Sequence, residues 1–165
     1  HFFFDYFYLG SDFGGKNRTQ PNASVRTPLK VLYEAHPQKV YLIVSTLEPR
    51  KNHTYLIDAF DRLWAEGHDV VLNIVGRKGW MIEKLLQRIE HHPEYNGRLF
   101  HWDDLNDEEL GYCYQHSKML LFPSFIEGFG LPIIESLYYG LPVLASDIPI
   151  HREIGGTQIG YFDLS

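Results

Sequence analysis

Two glutamates, Glu127 and Glu135, stand with seven residues between them in the stretch LFPSFIEGFGLPIIESLYYGLPVL, residues 121–144. The apolar run Met119, Leu120, Leu121, Phe122 is short and is closed by Pro123 and Ser124, which reads as a buried strand. A loop carrying Gly128 and Gly130 follows, and Pro132 opens a helix that Gly140 stops. With Pro132 setting the first turn, the N–H groups around Phe129 to Ile133 are expected to point outward, where a helix leaves its first amides unpaired, with the positive end of the dipole behind them. An anion suits that place, and glycines without a Cβ let a phosphate approach the backbone. With Glu127 in the loop and Glu135 in the first helical turn, both carboxylates face the rim of one cleft. Carboxylates do not ligate phosphate but accept hydrogen bonds from hydroxyls. A phosphate flanked by hydroxyls, as in a nucleotide sugar, matches this arrangement.

A second junction of the same kind begins at Lys39, in KVYLIVSTLEPRKNHTYLIDAFDRLWAEG. Val40 to Val44 are all β-favouring and read as a central strand of a parallel sheet. Asn52 is placed to cap a helix carrying Leu56, Ile57, Phe60, Leu63 and Trp64 on one face. Arg50 and Lys51 precede that helix, and two cations at a helix start make a further anion site.

The residues EGFGLPIIE, preceded by FPS and followed by PVLASD, resemble the E-x7-E signature of the retaining glycosyltransferases of GT-B fold often called family 4. The resemblance implies that Glu127 meets hydroxyls of the donor sugar and Glu135 the ribose, while Gly128, Phe129, Gly130 and Leu131 line the diphosphate. Lys51 matches the lysine that stabilises the departing diphosphate. The family arginine usually sits where this chain has Thr46, so Arg50 is the candidate substitute. Gly76 matches a glycine near the nucleotide. Trp102 is a candidate to stack on the base or a strand-end aromatic of the core; beside it, Asp103 stands where the family commonly has glycine. Family members generally need no bound metal or cofactor, the nucleotide sugar, GDP- or UDP-linked, being the substrate. The TLEPRKN wording is similar to that of bacterial and archaeal mannosyltransferases of surface-polysaccharide assembly. Two readings stand beside a sugar-transferring enzyme: a sugar-nucleotide 2-epimerase of the same fold, and a nucleotide-binding module without chemistry.

The elements that must position these residues alternate. Strands are expected at 70–75, 98–102 and 141–146, and helices at about 80–92 and from the Asn106 cap to His116. The fold class is therefore α/β, a Rossmann-like parallel sheet with helices on both faces, the C-terminal half of a GT-B fold. Ligands of such sheets lie beyond the carboxyl ends of the strands, where Lys51, Gly76, Trp102, Glu127 and Gly130 all fall. Residues 1–38 read as an N-terminal strand and partly flexible linker, with the Gly, Ser, Asn and Pro cluster at 10–28, and residues 39–165 as the nucleotide-sugar-binding domain, truncated before the family's C-terminal helices. The acceptor, a sugar or lipid-linked saccharide, would be bound by an N-terminal domain outside these residues, which would also carry any peripheral membrane association.

Composition agrees with a folded domain: 44% hydrophobic and 22% charged over 165 residues. A net charge of −6 supplies no basic stripe and argues against a nucleic-acid partner. Cys113 is the single cysteine, so no internal disulfide or cysteine-rich metal site can form, and a cytoplasmic setting, at or near a membrane face, is expected. The nine histidines show no ligand spacing, and His53, His101 and His116 read as surface or capping residues. The Asn-x-Ser/Thr triplets at Asn17 and Asn22 are read as chance.

Overall fold

The computed structural model describes residues 25–164. Helix α1 (Thr27–Ala35) leads into β1 (Val40–Val44), a single 3-10 turn (Pro49–Lys51), α2 (His53–Ala65), β2 (Val71–Val75), α3 (Glu83–Glu90) and β3 (Leu99–Trp102). The second half contributes α4 (Asp107–His116), β4 (Met119–Phe122), α5 (Leu131–Tyr139), β5 (Val143–Ser146), α6 (Pro149–Gly155) and β6 (Gly160–Phe162). All six strands pair in parallel in the order β3-β2-β1-β4-β5-β6, so every carboxyl end lies on one edge. The chain winds outward from β1 to β3, returns, and winds the other way from β4. The crevice between β1 and β4 is the point where the winding reverses.

Alternation along the strands divides the interior into two cores. Leu42, Val71, Val75 and Leu120 pack with Leu29, Tyr33, Cys113 and Ile133 of α1, α4 and α5 on one face. Ile43, Leu72, Ile74 and Leu121 pack with Ile57, Phe60, Ile82 and Ile89 on the other. This is the period of two that a sheet covered on both faces requires.

The domain body begins earlier than the sequence reading places it. Val25, Leu29, Leu32 and Tyr33 recur at helical spacing and are buried, so the residues read as the end of a linker form α1 and belong to the core. Pro28 stands at the first turn of α1, where its missing N–H costs nothing, and is no loop marker. The two N-terminal Asn-x-Ser/Thr triplets and the aromatic opening lie outside the described residues. Helix α3 is shorter than expected because Met81 has a positive φ of 52° and faces solvent, which delays the helix to Glu83.

The Asn106 cap forms as read: its side chain accepts from the Glu109 amide, and Glu109 accepts from the Asn106 amide. The same buried Glu109 carboxylate is clamped by the Arg26 guanidinium, from Nε at 2.6 Å and Nη2 at 2.9 Å, which ties the start of α1 to α4. The Arg26 hydrogen bonds hold the Glu109 carboxyl below its ordinary pKa of 4.5. A lowered folded pKa means that its contribution is full above 4.5 and is lost as the pH falls through the folded value. Arg26→Ala is expected to cost about 3 kcal/mol at neutral pH, because it strands a buried carboxylate. Urea melts should show this gap from wild type closing in acid, as the pH falls below 4.5 and Glu109 protonates in both.

Candidate functional site

The loops after β1 and β4 face each other across the crevice. After β1 the chain turns through Glu48 into the 3-10 turn that ends at Lys51. Asn52 then takes a left-handed conformation, φ 58°, and its side chain makes no cap. Its Nδ2 instead donates to the Pro123 carbonyl of the loop after β4, and the Phe125 amide donates back to the Arg50 carbonyl at 2.9 Å. The expected Asn52 cap is thus replaced by a stitch between the two loops, which left-handed asparagine tolerates.

That stitch brings Glu127 against the two cations. Lys51 Nζ donates to Glu127 Oε1 at 2.5 Å and Arg50 Nη1 to Oε2 at 3.2 Å, while Ser124 Oγ donates to Oε1 at 2.6 Å. The Glu127 side chain is 5% exposed and that of Lys51 11%, so the pair sits largely out of water where charge interactions are strong. Arg50 is more open and also donates to Glu48. Lys51 Nζ lies 5.6 Å from the ring centroid of Phe122 at the end of β4. Thr46 is exposed, and Arg50, one 3-10 turn later, is the arginine that reaches the cluster.

Helix α5 starts beside this cluster. Gly130 precedes it at φ 70°, a left-handed position that strains any other L-residue except asparagine or aspartate, and no side chain caps the helix. Pro132 carries no N–H and the Ile133 amide, expected to point outward, instead donates to the Gly130 carbonyl at 3.0 Å, so what this junction can offer a ligand narrows to the amides of Phe129, Gly130 and Leu131. Gly128 has open space where a Cβ would stand, whereas Gly130 packs against Ile154 and Ile133. Phe129 and Leu131 are exposed on the rim.

Glu135 departs from the sequence reading in position. The helix begins at Leu131, so Glu135 falls in the second turn, and no acidic residue occupies the first. Its carboxylate accepts from the Tyr114 hydroxyl of α4, not from the Lys51 cluster. Desolvation and the Glu135 charge keep Tyr114 protonated, well above the usual phenol range, so it remains a donor.

Gly76, at the end of β2, owes its identity to packing. A Cβ there would lie 1.8 Å from the Ser45 carbonyl oxygen. Trp102 ends β3 half-buried against the first core, with the Arg26 guanidinium 5.9 Å from its ring centroid. Asp103 pairs with Lys78 across the loops after β3 and β2.

Two histidines are buried, and the first runs against the expectation of a surface or capping role. His53 is buried at the start of α2 with Nε2 3.1 Å from Ser45 Oγ, and desolvation pulls its pKa down to about 3. His151, in α6, is buried under the loop after β4 and donates from Nδ1 to the Ser146 carbonyl, while Ser146 Oγ donates to the Ser124 carbonyl. Among the described residues no group of three or more His, Cys, Asp or Glu is placed to hold a metal. Burial pushes the Cys113 thiol up to about 12, so it is a packing residue without nucleophilic character.

Ser124, Tyr114 and His151 are the site residues that sequence reasoning did not single out. Ser124 was in view as the end of a strand, and its closeness to Glu127 is a local signal of a loop hydrogen bond. Tyr114 and His151 come from distant elements and leave no such signal.

Residues 29–160 match the family model described as glycosyl transferases group 1. The chain belongs to this family. Among its relatives, the serotype-specific mannosyltransferase WbdA of Escherichia coli is 38% identical over 156 residues, which cover 94% of this chain and 19% of that protein. The O-antigen chain mannosyltransferase B of Escherichia coli is 34% identical over 130 residues, 78% of this chain and 34% of the relative. The chain thus spans about a fifth to a third of the length of these group 1 proteins. The crystal structure of Anabaena HepE in complex with UDP and glucose superposes with a TM-score of 0.66 at 21% identity, over 88% of this chain and 39% of that one. That likeness supports the Rossmann-like fold of a GT-B glycosyltransferase.

Proposed function

We propose that this chain is the donor-binding part of a glycosyltransferase that moves a sugar, mannose by its relatives' names, from a nucleoside diphosphate to an acceptor hydroxyl in O-antigen-type polysaccharide synthesis. The observation that carries it is the meeting of Lys51, Arg50 and Glu127 with the uncapped start of α5, at the reversal point of the sheet. A diphosphate laid on the α5 amides would have Lys51 and Arg50 beside it, and its negative charge grows as the glycosidic bond to the sugar breaks. Preorganised cations in a site with little water stabilise that growth. On this reading Glu127 would accept from a sugar hydroxyl, and Glu135, held by Tyr114, would meet the ribose. Attack by the acceptor on the same face as the departing diphosphate, with retention at the anomeric carbon, needs no protein nucleophile, and the buried Cys113 offers none. The acceptor and any membrane contact fall to parts of the protein outside this chain.

Titration calorimetry against GDP, UDP, ADP and their sugar conjugates tests the reading. One diphosphate series should bind, and the base of that series names the donor. A folded chain that binds none of them, together with a full-length protein that also binds none, would remove the donor-site assignment.

A further inference from the structure

The hydrogen bonds of Glu127 carry a consequence for which form of the nucleotide the site holds. Lys51 and Arg50 donate to Glu127, and these are the same two cations that a diphosphate at the start of α5 would recruit. A diphosphate drawing on the remaining donors of Lys51 and Arg50 competes with Glu127 for their charge, and the two anions repel one another where they share the lysine. Glu127, 5% exposed, would keep Ser124 Oγ as a donor but lose most of its charge compensation. A carboxylate so buried needs replacement donors. A sugar carried on the diphosphate brings hydroxyls to the same place; the nucleoside diphosphate left after transfer brings none.

We infer that Glu127 selects the sugar-loaded donor against the spent nucleoside diphosphate by competing with the diphosphate for Lys51 and Arg50. The inference rests on the donor-site reading above and adds a direction to the reaction cycle. Loading is favoured because the sugar satisfies the carboxylate as the cations leave it. Once the sugar has passed to the acceptor, Glu127 recaptures Lys51 and Arg50 and drives the diphosphate out. The carboxylate thus acts in binding and in release. The stitch between the loops through Asn52 and Phe125 keeps the cations and the carboxylate within reach of each other throughout.

The test compares the nucleoside diphosphate with its sugar conjugate, GDP against GDP-mannose and UDP against UDP-glucose, by calorimetry on wild type and Glu127→Gln. Glutamine keeps the shape and the acceptor for Ser124 but does not compete electrostatically. The free diphosphate should bind Glu127→Gln about tenfold more tightly than wild type, while the sugar conjugate gains less than about threefold, so the preference narrows. Glu127→Asp keeps the charge and should retain the wild-type direction of preference. Thermal melts establish that each variant is folded, and Glu127→Ala supplies the same comparison if glutamine is not tolerated. Diphosphate binding that is unchanged or weaker in the neutral variants, with wild-type binding intact, would overturn the competition and make Glu127 a support that positions Lys51. Absence of binding to either ligand by both the folded chain and the full-length protein would instead overturn the donor site itself, and this inference with it.

Discussion

Lys51→Ala is expected to weaken nucleoside-diphosphate binding by about a hundredfold, the cost of removing a largely desolvated, hydrogen-bonded charge from the proposed diphosphate site. Where the full-length protein transfers sugar, kcat should fall by about two to three orders of magnitude, because the charge on the departing diphosphate is greatest in the transition state. The size of the effect follows from placement. Lys51 is held between Glu127 and the face of Phe122 with 11% of its side chain exposed. Arg50, with 40% exposed and a second carboxylate at Glu48, is screened by water, and Arg50→Ala should cost about tenfold or less. Lys51→Ala also strands Glu127, so stability must be measured beside affinity. The double variant Lys51→Ala with Glu127→Gln removes the stranded carboxylate and should recover stability without recovering binding. A loss of affinity under about threefold in the single variant would show that the diphosphate is not held by Lys51.

The same placement shows what a single sequence exposes and what it hides. The strand, glycine loop and helix start around Glu127 were legible because each is written locally: an apolar run, glycines, Pro132 and Gly140. The Asn106 capping box was legible for the same reason. Helix α1 is masked by the polar cluster upstream of it, and the period of Val25, Leu29, Leu32 and Tyr33 becomes meaningful only against a sheet that covers it. Asn52 has the chemistry of a helix cap, and tertiary structure overrode it by offering the Pro123 carbonyl. The grip of Tyr114 on Glu135 and the packing of His151 against Phe122 join elements far apart in the sequence, which no local pattern encodes.

Gly76 carries the second large prediction, and here the effect is on folding first. Gly76→Ala is expected to destabilise the protein by about 3 kcal/mol or more, the upper part of the range for overpacking a well-packed interior. The added Cβ would meet the Ser45 carbonyl oxygen at 1.8 Å and its carbon at 2.6 Å, both backbone atoms that no rotamer change can clear. Relief requires the ends of β1 and β2 to separate, against the hydrogen bonds from the Ser45 amide to the Val75 carbonyl and from the Gly76 amide to the Trp102 carbonyl. Ser45 leads directly into the segment that presents Arg50 and Lys51, so any variant that folds should also bind the diphosphate more weakly. Gly128→Ala separates the two effects. Nothing lies within 4 Å of a Cβ at Gly128, and its stability should stay within about 0.5 kcal/mol of wild type. If the phosphate approaches the backbone at the start of α5, this variant loses affinity while keeping its fold, whereas Gly76→Ala loses both. Urea melts and calorimetry on the two alanines therefore distinguish a glycine required by the protein's own backbone from one required by its ligand, and a Gly76→Ala protein as stable as wild type would refute the close approach on which the first half of the argument stands.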